Sequence, residues 1–154
     1  MTEAPSRRLA PDARWVWRVQ QLLFWGAALI AGVVVGRGQL DGALALLAQL
    51  VPLAGLAVGA LLVPELRWRR WRWDVRPDAI DIQHGTLTIR RTLVPMMRVQ
   101  HVDTTSGILE QGFDLATVVV HTAAGSHEIP LLTLHDAGEL RERIADLARM
   151  ADEP

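Results

Sequence analysis

Five histidines are the side chains here best suited to bind a transition metal, since the chain has no cysteine. His121 and His127 flank a short turn, residues 122–125, so paired strands could bring both imidazoles to one ion. A zinc site needs three or four protein ligands, and no further ligand is evident beside these two. The alternative is a pair of polar residues on a solvated hairpin. We therefore predict no cofactor, with His121 and His127 as the candidates for any metal site.

Catalytic chemistry has less support. Ser126, His127 and Glu128 resemble a nucleophile with its base and acid, but neighbouring residues of a strand point to opposite faces. Phosphate-binding loops, zinc-protease helices and nucleophile elbows each have a recognisable spacing, and the sequence contains none of them. We predict that the protein is not an enzyme.

A polar run, whose members are Pro95, Arg98, Gln100, His101 and Asp103, is a candidate recognition motif. Arg98, Gln100 and Asp103 could present one polar face to a peptide or a partner domain. The alternative, which we favour, is an internal ion pair between Arg98 and Asp103 that fixes the strand. His101 would then serve a β-bulge near Gln100 or a local hydrogen bond.

Arginine and tryptophan alternate in residues 67–73, which read RWRRWRW. Such a segment could bind nucleic acid, lie on a lipid surface or mark the end of a membrane span. Its neighbours favour the last, because Trp prefers the headgroup level and Arg can extend its charge to lipid phosphates. No nucleic-acid partner is expected, since the rest of the chain is acidic. The predicted membrane-interface residues are Trp15, Trp17, Arg18, Arg67, Trp68, Arg69, Arg70, Trp71 and Arg72.

Two uncharged apolar stretches, residues 19–36 and 43–64, predict two membrane-spanning helices joined as a hairpin. At 1.5 Å per residue they would be about 27 and 33 Å long, enough to cross the hydrocarbon layer. Arginines cluster outside both stretches, whereas the link has only Arg37, beside Asp41. The positive-inside rule then places both termini in the cytoplasm. Two glycine pairs have the spacing of closely packed or dimerising membrane helices, Gly32 with Gly36 and Gly55 with Gly59.

Beyond residue 73 the pattern changes to period two, which is typical of strands. Residues 79–83 and 86–90 alternate around a break at His84–Gly85, which predicts a hairpin. The last segment has helical spacing, with Thr133 as a capping residue. The sequence therefore predicts short antiparallel strands closed by one amphipathic helix. Further strand-like segments are residues 97–104, 115–121 and 126–129.

Charge also divides the chain. Residues 1–73 have nine arginines against four acidic residues, and residues 74–154 have seven against thirteen. Two parts in different surroundings are expected from such a split. The predicted segments are an N-terminal cytoplasmic segment (1–18), the hairpin (19–64), an Arg/Trp interface linker (65–73), a β domain (74–150) and a tail (151–154).

The β domain resembles the bacterial PH-like domain of the YdbS type over roughly residues 72–149. The most specific part is the run Pro-x-x-Arg-Val-Gln-x-Val-Asp, from Pro95 to Asp103. The family's Phe-Gly-Leu step is Phe113–Asp114–Leu115 here. The resemblance implies two roughly orthogonal antiparallel sheets, capped by a C-terminal helix and preceded by two membrane helices, and no catalytic activity. It rests on residues 75–89, 94–104, 107–120 and 121–130.

Together these features predict a non-catalytic binding or assembly module on the cytoplasmic face of the bacterial inner membrane. The expected partners are the lipid bilayer and another membrane protein, for which a related PH-like domain protein is one candidate. Two alternatives stay open. One is a lipid-handling or envelope-stress component that acts through its membrane hairpin, and the other is a metal- or ligand-sensing domain.

Overall fold

A computed structural model describes residues 5–86 and 88–152. The chain forms two compact units, and each has its own packing. One comprises Arg14–Leu66, and the other combines the residues up to Ala13 with those from Arg67 onward.

The first unit is a pair of helices, α1 (Ala13–Gly38) and α2 (Ala43–Arg70), whose ends extend beyond it. Both are long and apolar enough to cross a membrane. Large apolar side chains are exposed along both helices, so this surface requires an apolar solvent. Both helices run past the predicted uncharged stretches, because the flanking Trp- and Arg-rich residues continue the helical backbone. The exposed side chains include Leu23, Phe24, Ile30, Val34, Leu46, Leu50 and Leu61.

Glycines bring the two helices into close contact. A Cβ at Gly32 would lie 1.9 Å from the carbonyl oxygen of Ala48, and one at Gly55 would lie 2.5 Å from the ring of Trp25. A larger side chain at either position would force the backbones apart. The glycine spacing therefore serves packing within the hairpin.

The second unit contains two three-stranded antiparallel sheets and a C-terminal helix, which confirms the predicted fold class. Its elements are β1 (Arg72–Val75), β2 (Ala79–His84), β3 (Arg90–Pro95), a 3₁₀ turn (Met96–Arg98), β4 (Val99–Thr105), α3 (Ile108–Gly112), β5 (Leu115–Thr122), β6 (Gly125–Thr133) and α4 (Leu134–Asp152). The strand order is β1-β2-β3 in the first sheet and β4-β5-β6 in the second.

The core of this unit is formed by the apolar face of each sheet and one stripe of α4. The period of two puts alternate residues of β1 and β2 on the same side, where Trp73 pairs with Ile82 and Val75 with Ile80. The helix contributes residues at spacings of three and four, as the sequence predicts. Thr133 caps it, since its Oγ1 accepts a hydrogen bond from the Asp136 N–H at 3.1 Å. The core side chains include Trp73, Val75, Ile80, Ile82, Val118, Val120, Ile129, Ala137, Leu140 and Ile144.

Residues that precede α1 belong to the β unit. Arg7 forms an antiparallel bridge with Trp73, and each backbone N–H lies 3.0 Å from the carbonyl oxygen of the other. The N–H of Ala10 donates to the carbonyl oxygen of Leu131 at 3.2 Å. The N-terminal segment thus extends the β structure.

The hairpin between β2 and β3 differs from its prediction. The second strand begins at Arg90, whereas residues 86–90 were expected to form it. Gly85 has a φ of 136°, and a Cβ there would lie 1.9 Å from the carbonyl oxygen of Thr88, so the backbone folds tightly after the first strand. Leu87, which belongs to the predicted strand, lies outside the described residues.

Two irregularities shape the second sheet. The predicted bulge near Gln100 is confirmed, because Val99 pairs with Thr122 while His101 pairs with His121. A second bulge, in β6, has Leu131 at a φ of 56°.

The family's glycine turn is kept without glycine. Asp114 occupies the position of that glycine and has a φ of 52°. Asp is among the residues that tolerate the left-handed region. The Phe113–Asp114–Leu115 step therefore keeps the backbone conformation that glycine would favour.

Candidate functional site

The outermost strand of the second sheet, β4, has one edge without a strand partner. It pairs with β5, and no other strand of the described residues 5–86 and 88–152 pairs with it. Its outer backbone N–H and C=O groups can therefore accept a further strand.

A groove of about 260 Å³ runs between β4 and the C-terminal half of α4. Met97 stands at its mouth with 74% of its surface exposed. Two alanines of α4 form part of its wall, and their small side chains leave room beside the strand. The groove therefore has a mixed lining, in which apolar side chains lie beside those of Gln100, His101 and Arg149. Its lining residues are Met97, Val99, Gln100, His101, Val102, Ala145, Ala148 and Arg149.

The predicted polar motif is divided between the 3₁₀ turn and β4. Arg98 lies in the turn and is exposed, and within the described part of the chain it forms no ion pair. The favoured Arg98–Asp103 ion pair is therefore wrong, because the turn takes Arg98 out of the strand alignment. Gln100 is the residue left unpaired at the bulge, and Pro95 ends β3.

Asp103 instead lies beside two histidines. His101 and His121 are direct cross-strand partners, and their rings stack with centroids 4.2 Å apart at 12°. The nearer carboxylate oxygen of Asp103, Oδ2, is 3.3 Å from Nε2 of His121 and 3.6 Å from Nε2 of His101. This cluster of His101, Asp103 and His121 is the only group of three or more potential metal ligands among the described residues.

The predicted pairing of His121 with His127 does not occur. His127 is the cross-strand partner of Val120, whereas His121 pairs with Ser126, so the two imidazoles point to opposite faces of the sheet. His127 lines a different cleft, together with Trp71 and His84. Sequence reasoning missed His101 as the partner because alternation does not specify the register in which β4 pairs with β5.

Two of the tryptophans predicted for the membrane interface are buried in the structure. Trp71 and Trp17 are buried, so neither ring is available to lipid headgroups. The indole N–H of Trp68 donates to the carbonyl oxygen of Ala10 at 3.0 Å, and the indole N–H of Trp73 donates to the carbonyl oxygen of Arg8 at 3.3 Å. These indoles therefore hold the N-terminal segment on the β unit.

The remaining interface candidates keep an exposed or half-buried position. Trp15 is exposed, and the guanidinium of Arg18 lies 4.8 Å from its ring centre. Burial, and then the positive charge of Arg8, lower the pKa of the Arg72 guanidinium. Arg67 and Arg69 are exposed, and Arg70 is half-buried.

A buried ion pair in the first sheet has no counterpart in the sequence-based predictions. Asp81 is fully buried, and its carboxylate accepts hydrogen bonds from Nε of Arg91 at 2.9 and 3.1 Å and from Nη2 of the same residue. These bonds raise the pKa of the Arg91 guanidinium. Arg76 lies 3.7 Å from the same carboxylate. The pair fixes β2 against β3.

Comparison with known proteins agrees with this architecture. Residues 25–148 match the family model described as "Bacterial PH domain". The chain belongs to this family. The match begins within α1, so it includes most of the helical hairpin as well as the β unit.

Two curated relatives come from Bacillus subtilis. The chain is 37% identical to "UPF0699 transmembrane protein YdbS" over 161 aligned positions, which cover 99% of each chain. It is 26% identical to "UPF0699 transmembrane protein YdbT" over 81 positions, which cover 53% of this chain and 16% of that protein. No solved structure matches the chain at comparable significance. The exposed apolar helices are therefore those of a bacterial transmembrane protein with a PH domain.

Proposed function

We propose that this protein is a non-catalytic assembly module, anchored in the bacterial inner membrane with both termini in the cytoplasm. Its PH domain binds an extended segment of another membrane protein along the free edge of β4. The observation that carries the proposal is the groove between β4 and α4, whose strand edge lacks a partner within the described residues. Backbone hydrogen bonds would supply affinity, and the mixed polar and apolar lining of the groove would select side chains.

The proposed partner is a larger membrane protein with the same kind of domain. In Bacillus subtilis, a full-length relative of this chain exists beside a protein of which the matching region is only 16%. Both have the same family designation. A short and a long protein with related domains are the components expected of a hetero-oligomer, since related domains can pair through similar edges.

The charge distribution supports the cytoplasmic orientation. Four arginines precede the apolar part of α1, and five lie at or just beyond the end of α2, whereas the link has Arg37 beside Asp41. The bridge between Arg7 and Trp73 joins the two arginine-rich flanks, which must then lie on one side of the membrane.

Site-specific photocrosslinking in the native bacterium tests this assignment. We expect a benzoylphenylalanine at Met97 to form an adduct with a larger PH-domain membrane protein, identified by its peptides. Ile108 is the matched control, because it is 90% exposed and lies in α3 rather than beside the groove. It should form no such adduct.

A charge in the groove gives a second measurement. Met97→Glu should reduce recovery of the same partner about tenfold, since one apolar contact at an interface centre contributes on the order of 1–2 kcal/mol. Ile108→Glu should leave recovery unchanged. Equal adducts at both sites, adducts only with lipid or with a second copy of this chain, or unchanged recovery for Met97→Glu would contradict the proposal.

A further inference from the structure

His101, Asp103 and His121 converge on one point of the solvent-facing side of the second sheet. The pairing of His101 with His121 sets the distance between the two imidazoles, and Asp103 follows two residues along on the same face of β4. Both strands are regular from His101 to Asp103 and from Val119 to His121. The three side chains are therefore held by sheet geometry.

Hydrogen bonding does not account for the convergence. Among the described residues neither imidazole donates a hydrogen bond to Asp103, and the two N–O separations are 3.3 and 3.6 Å. Both nitrogens nevertheless approach the same carboxylate oxygen, and the donor atoms all lie within 4.8 Å of one another.

A metal ion fits these separations. Zinc binds imidazole nitrogen at about 2.0–2.1 Å and carboxylate oxygen at about 2.0–2.2 Å, so tetrahedral ligand atoms lie about 3.3–3.5 Å apart. The two N–O distances fall within a few tenths of an ångström of that edge length. Because each nitrogen lone pair lies in its ring plane, the two stacked imidazoles must turn toward each other to share an ion. The exposed fractions of the side chains, 60% for His101 and 34% for His121, leave room for that rotation.

We propose that His101, Asp103 and His121 form a binding site for a divalent transition-metal ion of the zinc type. Two imidazoles and one carboxylate suit such an ion, whereas Mg²⁺ and Ca²⁺ prefer oxygen ligands. Three protein ligands leave at least one position for water or an incoming ligand. The ion joins β4 to β5 beside the groove, which His101 also lines. Because the ligands are exposed, the ion exchanges with solvent.

Zinc titration of the full chain tests the site. The protein is purified in mild detergent, freed of any polyhistidine tag, stripped with a chelator and titrated with Zn²⁺ in a calorimeter. We expect one ion per chain. His101→Ala and His121→Ala should each weaken binding at least about tenfold, as should Asp103→Asn, since even indirect supports of a metal ligand contribute about 10- to 100-fold.

Two further histidines provide matched controls. His127→Ala lies on the opposite face of the same hairpin, and His135→Ala removes an exposed imidazole 3.3 Å from Glu139 on α4. Both variants should bind Zn²⁺ like the parent. Co²⁺ gives a second readout, because its visible absorption should appear with the parent and with His127→Ala but not with His121→Ala.

The proposal is overturned if the parent chain binds no Zn²⁺. It is also overturned if His101→Ala and His121→Ala bind Zn²⁺ as tightly as the parent. Loss of binding in His127→Ala or His135→Ala would place the ion elsewhere and overturn it as well. None of these results depends on a protein partner, so they are distinct from the crosslinking outcomes.

Discussion

The indoles of Trp68 and Trp73 have a structural role that their position in an Arg/Trp segment conceals. Both N–H groups bind backbone carbonyl oxygens of the N-terminal segment, at Ala10 and Arg8. Backbone acceptors in partly buried positions need such donors, because water reaches them poorly. The indole N–H groups therefore contribute at these positions in addition to the aromatic rings.

Trp68→Phe tests how much the indole N–H contributes to stability beyond the aromatic side chain. The variant keeps an aromatic side chain but removes the N–H, and we expect it to lower the free energy of unfolding by about 1 kcal/mol. Thermal unfolding of the full chain in detergent measures the change. Trp15→Phe, at an exposed ring, should unfold like the parent. Equal behaviour of the two variants would show that the indole hydrogen bond does not stabilise the fold.

Arg91 and Arg90 are neighbours with different roles. Arg91 donates to the buried Asp81, whereas Arg90 is exposed and has no ion pair within the part of the chain that the structure describes. Arg91→Leu should lower the melting temperature clearly, because it removes the main counterion of a buried carboxylate. Arg90→Leu should change it little. A larger effect of Arg90→Leu would contradict the structure of this pair.

The sequence identified the candidate site residues on β4 and β5, but it did not identify which of their side chains contact one another. His101, Asp103 and His121 were all candidates, yet Asp103 was assigned to Arg98 and His121 to His127. Side-chain contacts across a sheet depend on register, and one bulged residue shifts every later position to the other face. Period-two alternation does not specify that register.

Close packing of α1 against α2 depends on a few positions without side chains. Gly32 lies against the backbone of α2, whereas a Cβ at Gly26 would have no atom within 4 Å. The two glycines lie in the same helix, six residues apart. Replacing either glycine by Ala raises the helix propensity of α1, but only at Gly32 does the added Cβ meet α2. Comparing the two substitutions therefore isolates the effect of the close contact.

Gly32→Ala should destabilise the hairpin by about 1–3 kcal/mol, the usual range for overpacking. Gly26→Ala should leave stability unchanged or raise it, since Ala is the better helix former. Thermal unfolding in detergent, followed by circular dichroism at a helical wavelength, distinguishes the two variants. A hairpin that tolerates Ala at both positions would exclude close backbone contact at Gly32.

Elements with a strong local pattern were predictable. The two apolar helices, the capped C-terminal helix and the strands around the 122–125 turn all follow from periodicity and turn residues. Two elements were not. The strand after Gly85 starts later than its alternation indicates, and β1 uses the alternation of Arg72 and Trp73 to bury the ring rather than to face lipid. In both cases the local sequence is compatible with more than one structure, and packing against the rest of the β unit determines which one forms.

The proposed orientation of the whole molecule in the membrane can be tested by labelling introduced cysteines. The chain has no cysteine of its own, so only the introduced thiol of this protein can react. Gln39→Cys places a single thiol in the link between α1 and α2, and Ile108→Cys places one on the β unit. We expect a membrane-impermeant maleimide to label the first in intact cells and the second only after lysis. Labelling of Ile108→Cys in intact cells would refute the cytoplasmic location of the PH domain.

The bridge between Arg7 and Trp73 also has a consequence for biosynthesis. Arg8 leaves the ribosome 65 positions before the tryptophan that binds its carbonyl oxygen, and both helices of the hairpin lie in between. Arg7 and Arg8 therefore stay without these partners until Trp73 has been synthesised. The β unit therefore cannot close before the second helix and Trp73 have left the ribosome, which couples completion of this domain to synthesis of the whole hairpin.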